Sequence, residues 1–122
     1  MKKDIETFDD IKILVDTFYN NARKNELIGP IFEKYLAGHW NTHLEKLYRF
    51  WQTVVLKEMA YYGQPVPVHF KMLLNDGHFE IWLEIWTNTV SSMYEGPKAD
   101  RAKLRGRTMS EAFLKKIKKS TM

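Results

Sequence analysis

The sequence predicts an all-α domain, and three observations carry that prediction. Apolar residues recur mostly at helical three- and four-residue spacing, and glycine or proline separates the periodic segments. No alternating strand pattern of useful length occurs, apart from the ambiguous Val54-Val55-Leu56. The length of 122 residues, with 44% hydrophobic and 28% charged residues, predicts one globular domain over 1–122.

The first helix is predicted by an apolar stripe that runs from Phe8 to Ala22. Thr7, followed three residues later by Asp10, resembles a capping box with a carboxylate in the second position. We expect this helix to end near Asn25.

A short helix is predicted over Pro30–Leu36, because proline is favoured at the first helical position. Gly38 then breaks the chain. The third helix extends from about Trp40 to Val55, with apolar residues at i, i+3, i+4 and i+7. His43 lies inside its aromatic-rich stripe.

An irregular link, residues 63–76, follows, and its two prolines and glycine cannot continue a helix. Pro67 could start a short helix within it. A link of this length tends to be functional, and it argues against a simple up-and-down bundle.

The fourth long segment carries apolar residues from Phe79 to Tyr94 at helical spacing, after an Asn75-Asp76-Gly77 turn. It stops at Gly96-Pro97, a helix-ending pair. A last helix is predicted over about Lys98–Lys118, with a lysine-rich tail, residues 115–122, that we expect to fray.

The net charge of +4 is concentrated at the C-terminal end, where Pro97–Met122 contains nine basic and two acidic residues. Such a cluster is compatible with phosphate binding. No nucleic-acid reading motif accompanies it, so a solvated basic helix is the favoured interpretation and no nucleic-acid partner is expected.

Composition excludes several classes of protein. The chain has no cysteine, which excludes disulfides, thiolate metal sites, cysteine nucleophiles and covalent haem attachment. No apolar run reaches the roughly 18 residues that a membrane span needs, and the N-terminus does not resemble a signal peptide. We therefore expect a cytoplasmic protein without a membrane partner.

Aromatic residues make up 14% of the chain, with four tryptophans, more than a bare core of this size needs. Of the four histidines, His43 lies on an aromatic helix face and His69 follows the two prolines of the irregular link. A flat apolar cofactor such as haem needs an aromatic slot, an axial nitrogen ligand and a distal polar group. A zinc site using His39 and His43 at i and i+4 is a weaker alternative.

The order and spacing of several short pieces resemble the truncated (2-on-2) haemoglobins of group III over nearly the whole chain. The pieces that carry this resemblance are Phe18-Tyr19, Gly29-Pro30-Ile31-Phe32, Trp40-x-x-His43 with Phe50-Trp51, Gly63-Gln64-Pro65-x-x-x-His69, and Phe79-x-x-Trp82. The resemblance implies a globin-like 2-on-2 helical sandwich whose proximal helix is short or absent.

The resemblance also implies a haem b site and a role for each matching residue. His69 is implied as the proximal iron ligand, and Tyr19, His43 and Trp82 as distal residues that stabilise the bound ligand. Lys46, one turn beyond His43, is implied as a contact to a haem propionate. The implied lining of the haem consists of Phe32, Leu44, Leu47, Phe50 and Trp51, together with Phe70, Leu73 and Trp86.

A protein of this kind would bind dioxygen, nitric oxide and similar diatomic ligands. It could detoxify nitric oxide or carry out peroxidase-like chemistry, or else deliver, store or sense the ligand. Turnover would need electrons from an external donor, and we expect a monomer. The alternative is a small helical interaction module without haem, which would bind an acidic partner through its basic last helix.

Overall fold

A computed structural model describes residues 2–58 and 76–121, and this part of the chain is helical without any strand. The all-α prediction is confirmed there, and no helix within it is both long and apolar enough to span a bilayer. The helices in chain order are α1 (Phe8–Lys24), α2 (Gly29–Leu36), α3 (Trp40–Leu56), α4 (Asp76–Met93) and α5 (Pro97–Thr121). The predicted link and the short helix at Pro67 lie outside the described residues.

Helix α1 begins with the capping box that the sequence predicts. The Thr7 hydroxyl accepts from the Asp10 backbone N–H at 3.2 Å, and the Asp10 carboxylate accepts from the Thr7 N–H at 3.1 Å. The helix ends at Lys24 with Asn25 as its C-cap, in agreement with the predicted end near Asn25. The Asn25 side-chain oxygen then accepts from the N–H groups of Leu27 and Ile28, which turns the chain towards α2.

Gly29 lets α2 start directly against the end of α1. A Cβ atom at this position would lie 2.4 Å from the Arg23 carbonyl oxygen, so a larger residue would push the two helices apart. The helix begins one residue before the predicted Pro30, because the Gly29 N–H bonds to the Asn25 carbonyl. This close approach positions Phe32, which is fully buried, beside α1.

Helix α3 matches its predicted range, and Gly38, with a φ of +82°, makes the turn before it. At its other end Lys57 adopts a left-handed φ of +59°. The Arg101 side chain on α5 donates to the Val55 carbonyl, which satisfies one of the last carbonyl groups of α3. This bond ties the end of α3 to α5.

The corner between α4 and α5 is closed by the N-terminal segment. Gly96, at a φ of +140°, makes the turn, and the Asp4 carboxylate accepts from the N–H groups of Lys98 and Ala99 at 3.0 and 2.9 Å. A carboxylate at this place stabilises the first turn of α5. Residue 4 thus caps a helix that begins more than ninety residues later.

Helix α5 extends to Thr121, three residues past the end near Lys118 that the sequence predicts. The fraying expected for residues 115–122 stays a prediction.

Helices α4 and α5 approach closely where Gly106 faces Trp86. A Cβ on Gly106 would lie 2.5 Å from Cδ1 and 2.8 Å from Nε1 of the Trp86 indole. That indole donates from Nε1 to the Ala102 carbonyl at 2.9 Å. The small residues of α5 therefore leave room for a tryptophan that is fully buried.

We expect Asp4→Asn to lower the free energy of unfolding by about 1 kcal/mol near neutral pH, because it removes a charged helix cap. Burial by itself raises the pKa of Asp4, but the N–H groups of Lys98, Ala99 and Ile5 outweigh it and hold the pKa below its ordinary value. This stabilisation is present above the ordinary carboxyl pKa and is lost as the pH falls through the lowered pKa in the folded state.

Urea denaturation of both proteins across the acidic range measures this difference. The difference in the free energy of unfolding between wild type and Asp4→Asn should disappear at acidic pH. Asp9→Asn is the matched control, since Asp9 is exposed in the first turn of α1. An equal loss from Asp9→Asn, or a gap that is independent of pH, would contradict the capping role.

Gly106→Ala should destabilise the protein by about 1–3 kcal/mol through overpacking against Trp86. In an ordinary helix the same change stabilises by up to about 1 kcal/mol, so the sign of the effect is diagnostic. Thermal unfolding gives the stability, and tryptophan fluorescence gives the environment of the indoles. Arg105→Ala, an exposed change on the same helix, serves as control, and a Gly106→Ala protein as stable as wild type would refute the close approach.

Candidate functional site

Tyr19 lies at the centre of the candidate site, in the C-terminal half of α1. Its side chain is 4% exposed, and its hydroxyl oxygen lies 3.3 Å from Nε2 of His43 on α3. The phenol donates to the bare nitrogen, or Nε2–H donates to the phenol oxygen, according to the imidazole tautomer. The structure thus brings together two of the three predicted distal residues.

The Tyr19 phenol is held in its neutral form. Burial raises its pKa well above the usual tyrosine value, because the charged phenolate would lose its hydration. A neutral phenol retains its O–H donor, so this group can offer a hydrogen bond over the whole physiological pH range.

Aromatic rings from three helices surround Tyr19. The distance from the Tyr19 ring centroid is 4.8 Å to the ring of Phe18, its neighbour on α1. It is 5.6 Å to Phe32 on α2 and 5.8 Å to Trp40 at the start of α3. All three meet Tyr19 edge to face, a favoured arrangement for aromatic pairs. The polar hydroxyl therefore lies within an apolar wall.

Trp82, the third predicted distal residue, joins the same cluster through Phe18 and Trp86. It lies on α4, is 4% exposed, and its ring is 5.6 Å from that of Phe18. Trp86, one turn later, is nearly parallel to it at 6.2 Å and 13°, and stacks on Trp51 of α3 at 4.2 Å and 23°. Three tryptophans thus form a layered stack beside Phe18.

The remaining predicted lining residues lie along one face of α3. Leu47 and Phe50 are buried, and the Phe50 ring lies 5.2 Å from that of Trp51, whereas Leu44 is half-buried. Lys46 is exposed to solvent on the same helix. The predicted residues His69, Phe70 and Leu73 lie outside the described residues.

The zinc alternative gains no third ligand in the described part of the chain. His39 is exposed at the start of α3, while His43 faces Tyr19. Residues 2–58 and 76–121 contain no group of three or more histidine or acidic side chains arranged to hold a metal.

The sequence did not single out two residues that the structure adds to the site. The resemblance included Trp40 in the Trp40-x-x-His43 piece but implied no role for it, although its place on the apolar stripe three residues before His43 was a usable signal. Arg23 carried no signal, because its guanidinium reaches the Trp40 ring from another helix, at 4.5 Å from the ring centroid.

No family model matches the chain. One curated relative is Group 3 truncated hemoglobin ctb of Campylobacter jejuni, 31% identical over 98 residues, which cover 77% of this chain and 77% of the relative. A crystal structure of a group III truncated hemoglobin from Campylobacter jejuni superposes with a TM-score of 0.82 at 26% identity, covering 96% of this chain and 95% of that one.

This likeness confirms the globin-like fold that the sequence resemblance implied, and it extends over nearly the full length of both chains. The identity with the curated relative covers more than three quarters of each sequence. The chain therefore belongs to the group III truncated haemoglobins.

Proposed function

We propose that this globin holds haem b and binds dioxygen and other diatomic ligands, with Tyr19, His43 and Trp82 on the distal side. The observation that supports the proposal most strongly is the buried, neutral Tyr19 phenol 3.3 Å from His43 within an aromatic wall. Family membership supports the haem-binding role in general.

The residues present suit a flat apolar group with one polar end. The described part of α3 offers Leu44, Leu47, Phe50 and Trp51 along one face, and Phe32 on α2 packs against Tyr19. Apolar lining with a few convergent donors is typical of cofactor pockets. We place Phe70, Leu73 and Trp86 in the same lining on the basis of the family resemblance.

We propose His69 as the proximal iron ligand, because the resemblance aligns it with the ligand of the family. An imidazole nitrogen is the usual axial ligand in globins. Lys46 is a candidate partner for a propionate, since its exposed ammonium lies one turn from His43. The Trp86 N–H is already bonded to the Ala102 carbonyl, so we assign this residue no hydrogen bond to the ligand.

Bound haem would supply an iron atom able to bind dioxygen, whose oxygen would then carry partial negative charge. The neutral Tyr19 phenol and the Trp82 indole can donate hydrogen bonds to such an atom. Within a water-poor pocket each charge-assisted bond contributes about 1–3 kcal/mol, which slows ligand release about ten- to hundredfold.

Slow release suits chemistry better than bulk transport, so we propose nitric oxide dioxygenation as the first reaction to test, with peroxidase-like chemistry second. The oxidation of nitric oxide to nitrate by dioxygen needs one electron per turnover. A separate protein would supply that electron. We further propose that the protein acts as a cytoplasmic monomer.

Purified protein supplied with haem should show a Soret band, and His69→Ala should abolish stable iron ligation. The absorbance spectrum measures both effects. His39→Ala is the control, since His39 is exposed at the start of α3, one turn before His43, and its replacement should leave the spectrum unchanged. A colourless wild-type protein after reconstitution would refute the function and favour the interaction module, whose binding would be sensitive to salt.

Tyr19→Phe should raise the dioxygen dissociation rate about tenfold or more, because one donor to the ligand is lost. Stopped-flow measurement gives the rate, and nitrate formation from nitric oxide with a supplied reductant gives the turnover. The wild-type rate should stay constant up to about pH 10, where an ordinary tyrosine ionises, because the raised pKa keeps the phenol protonated.

Tyr48→Phe is the matched control for this measurement. Tyr48 is also buried, but its hydroxyl donates to Asp16 and its ring packs against Phe8, away from the Tyr19 cluster. A fast wild-type dissociation rate that Tyr19→Phe leaves unchanged would count against ligand stabilisation by Tyr19.

A further inference from the structure

A surface ion pair is connected to the Tyr19 ring through the indole of Trp40. Arg23, in the last turn of α1, donates from Nε to the Glu33 carboxylate on α2 at 2.6 Å. Both side chains are nearly half exposed, at 44% and 47%. The Arg23 guanidinium carbon lies 4.5 Å from the Trp40 ring centroid, within the range of a cation–π contact.

Among residues 2–58 and 76–121, the Trp40 indole has no hydrogen-bond partner that would fix its orientation. Its indole N–H is buried, and no acceptor for it lies within the described part of the molecule. Trp86 differs in this respect, because its N–H is anchored to the Ala102 carbonyl. The described contacts of its ring are the edge-to-face approach to Tyr19 and the Arg23 guanidinium above it.

Space for movement exists beside Trp40. An open surface pocket of about 430 Å³ is lined by Trp40 with Gly38, Asn41 and Thr42. Gly38, at a φ of +82°, lies directly in the turn before the helix. An indole that borders open space and lacks an anchoring hydrogen bond depends more strongly on the cation that covers it.

The inner side of Trp40 contacts the candidate site. Its ring meets Tyr19 edge to face at 5.8 Å and 75°, and it precedes His43 by one helical turn. The position of the indole therefore limits where the Tyr19 ring, and with it the hydroxyl, can lie.

We propose that Arg23 and Trp40 are positioning residues for the Tyr19 hydroxyl, and that Glu33 orients the Arg23 guanidinium over the Trp40 ring. Through these contacts an exposed charged pair sets how well the phenol is aimed at a bound diatomic ligand. This proposal rests on the proposed function of Tyr19 as a donor to that ligand.

The expected effect is moderate, because an exposed cation–π contact changes an equilibrium by a factor of about two to five. Arg23→Gln removes the charge while keeping a polar side chain of some length. We expect it to raise the dioxygen dissociation rate of the haem-loaded protein by about two- to fivefold. Arg23→Lys should give an intermediate rate, because it keeps a cation but not the planar group that stacks on the ring.

A double-mutant cycle with Trp40→Phe tests whether the two residues act through one another. Arg23→Gln should have little further effect once Trp40 is replaced, because the contact is already weakened. The matched control is Arg49→Gln. Arg49 also covers an aromatic ring, that of Phe8 at 4.3 Å, and pairs with an exposed carboxylate, that of Glu45 at 3.2 Å. The Phe8 ring, however, packs against Tyr48 instead of Tyr19.

A second readout does not require haem. In full-length protein labelled with ¹³C at the tyrosine rings, Tyr19→Phe assigns the Tyr19 resonance. Arg23→Gln and Trp40→Phe should shift that resonance, whereas Arg49→Gln should leave it in place. Thermal unfolding of every variant measures any general loss of stability.

The results separate the two proposals. A Tyr19 resonance that moves in Arg23→Gln, with no Soret band in any variant, would support the positioning role of the pair and overturn the haem function. A Soret band with a dissociation rate and a Tyr19 resonance unchanged by Arg23→Gln would overturn the positioning proposal alone. An equal rise in rate from Arg49→Gln would overturn it as well, because the effect would then be general.

Discussion

The indole of Trp86 contacts the three other long helices, and the site depends on that arrangement. It stacks on Trp51 of α3, meets Phe18 of α1 edge to face at 5.3 Å, and donates to the Ala102 carbonyl of α5. Gly106 leaves the space that its ring occupies. Aromatic pairs of this kind add about 0.5–1.5 kcal/mol each beyond the burial of their area. Because Phe18 and Tyr19 are neighbours, the same stack that joins the helices also sets the position of the phenol.

Hydrogen bonds at the edges of the fold hold the helices together around this aromatic interior. Asp4 caps α5 from the far end of the chain, Arg101 satisfies a carbonyl at the end of α3, and the Tyr94 hydroxyl donates to the Asp10 carbonyl. Each bond joins segments that are distant in sequence. In the part of the chain that the structure describes, few polar residues are buried. The Tyr19–His43 pair therefore stands in surroundings where a hydrogen bond is stronger than in water.

Local chemistry made much of the fold predictable from the sequence. Thr7 and Asp10 defined the start of α1, and the period of the apolar residues defined α3, since both signals lie within a few residues of the structure they specify. The pairing of Tyr19 with His43 was expected from the family resemblance, not from spacing. The Asp4 cap, the Gly106–Trp86 approach and the Arg23–Trp40 contact were not predicted, because each joins residues that only the folded chain brings together.

We propose that the Tyr19 hydroxyl faces the ligand-binding side of a haem. A crystal structure of the haem-loaded protein with a diatomic ligand bound tests this most directly. We expect the Tyr19 hydroxyl to lie within hydrogen-bond distance of the ligand's outer atom, and His69 to bind the iron from the opposite face. A haem bound elsewhere, or a ligand in contact with apolar side chains alone, would contradict it.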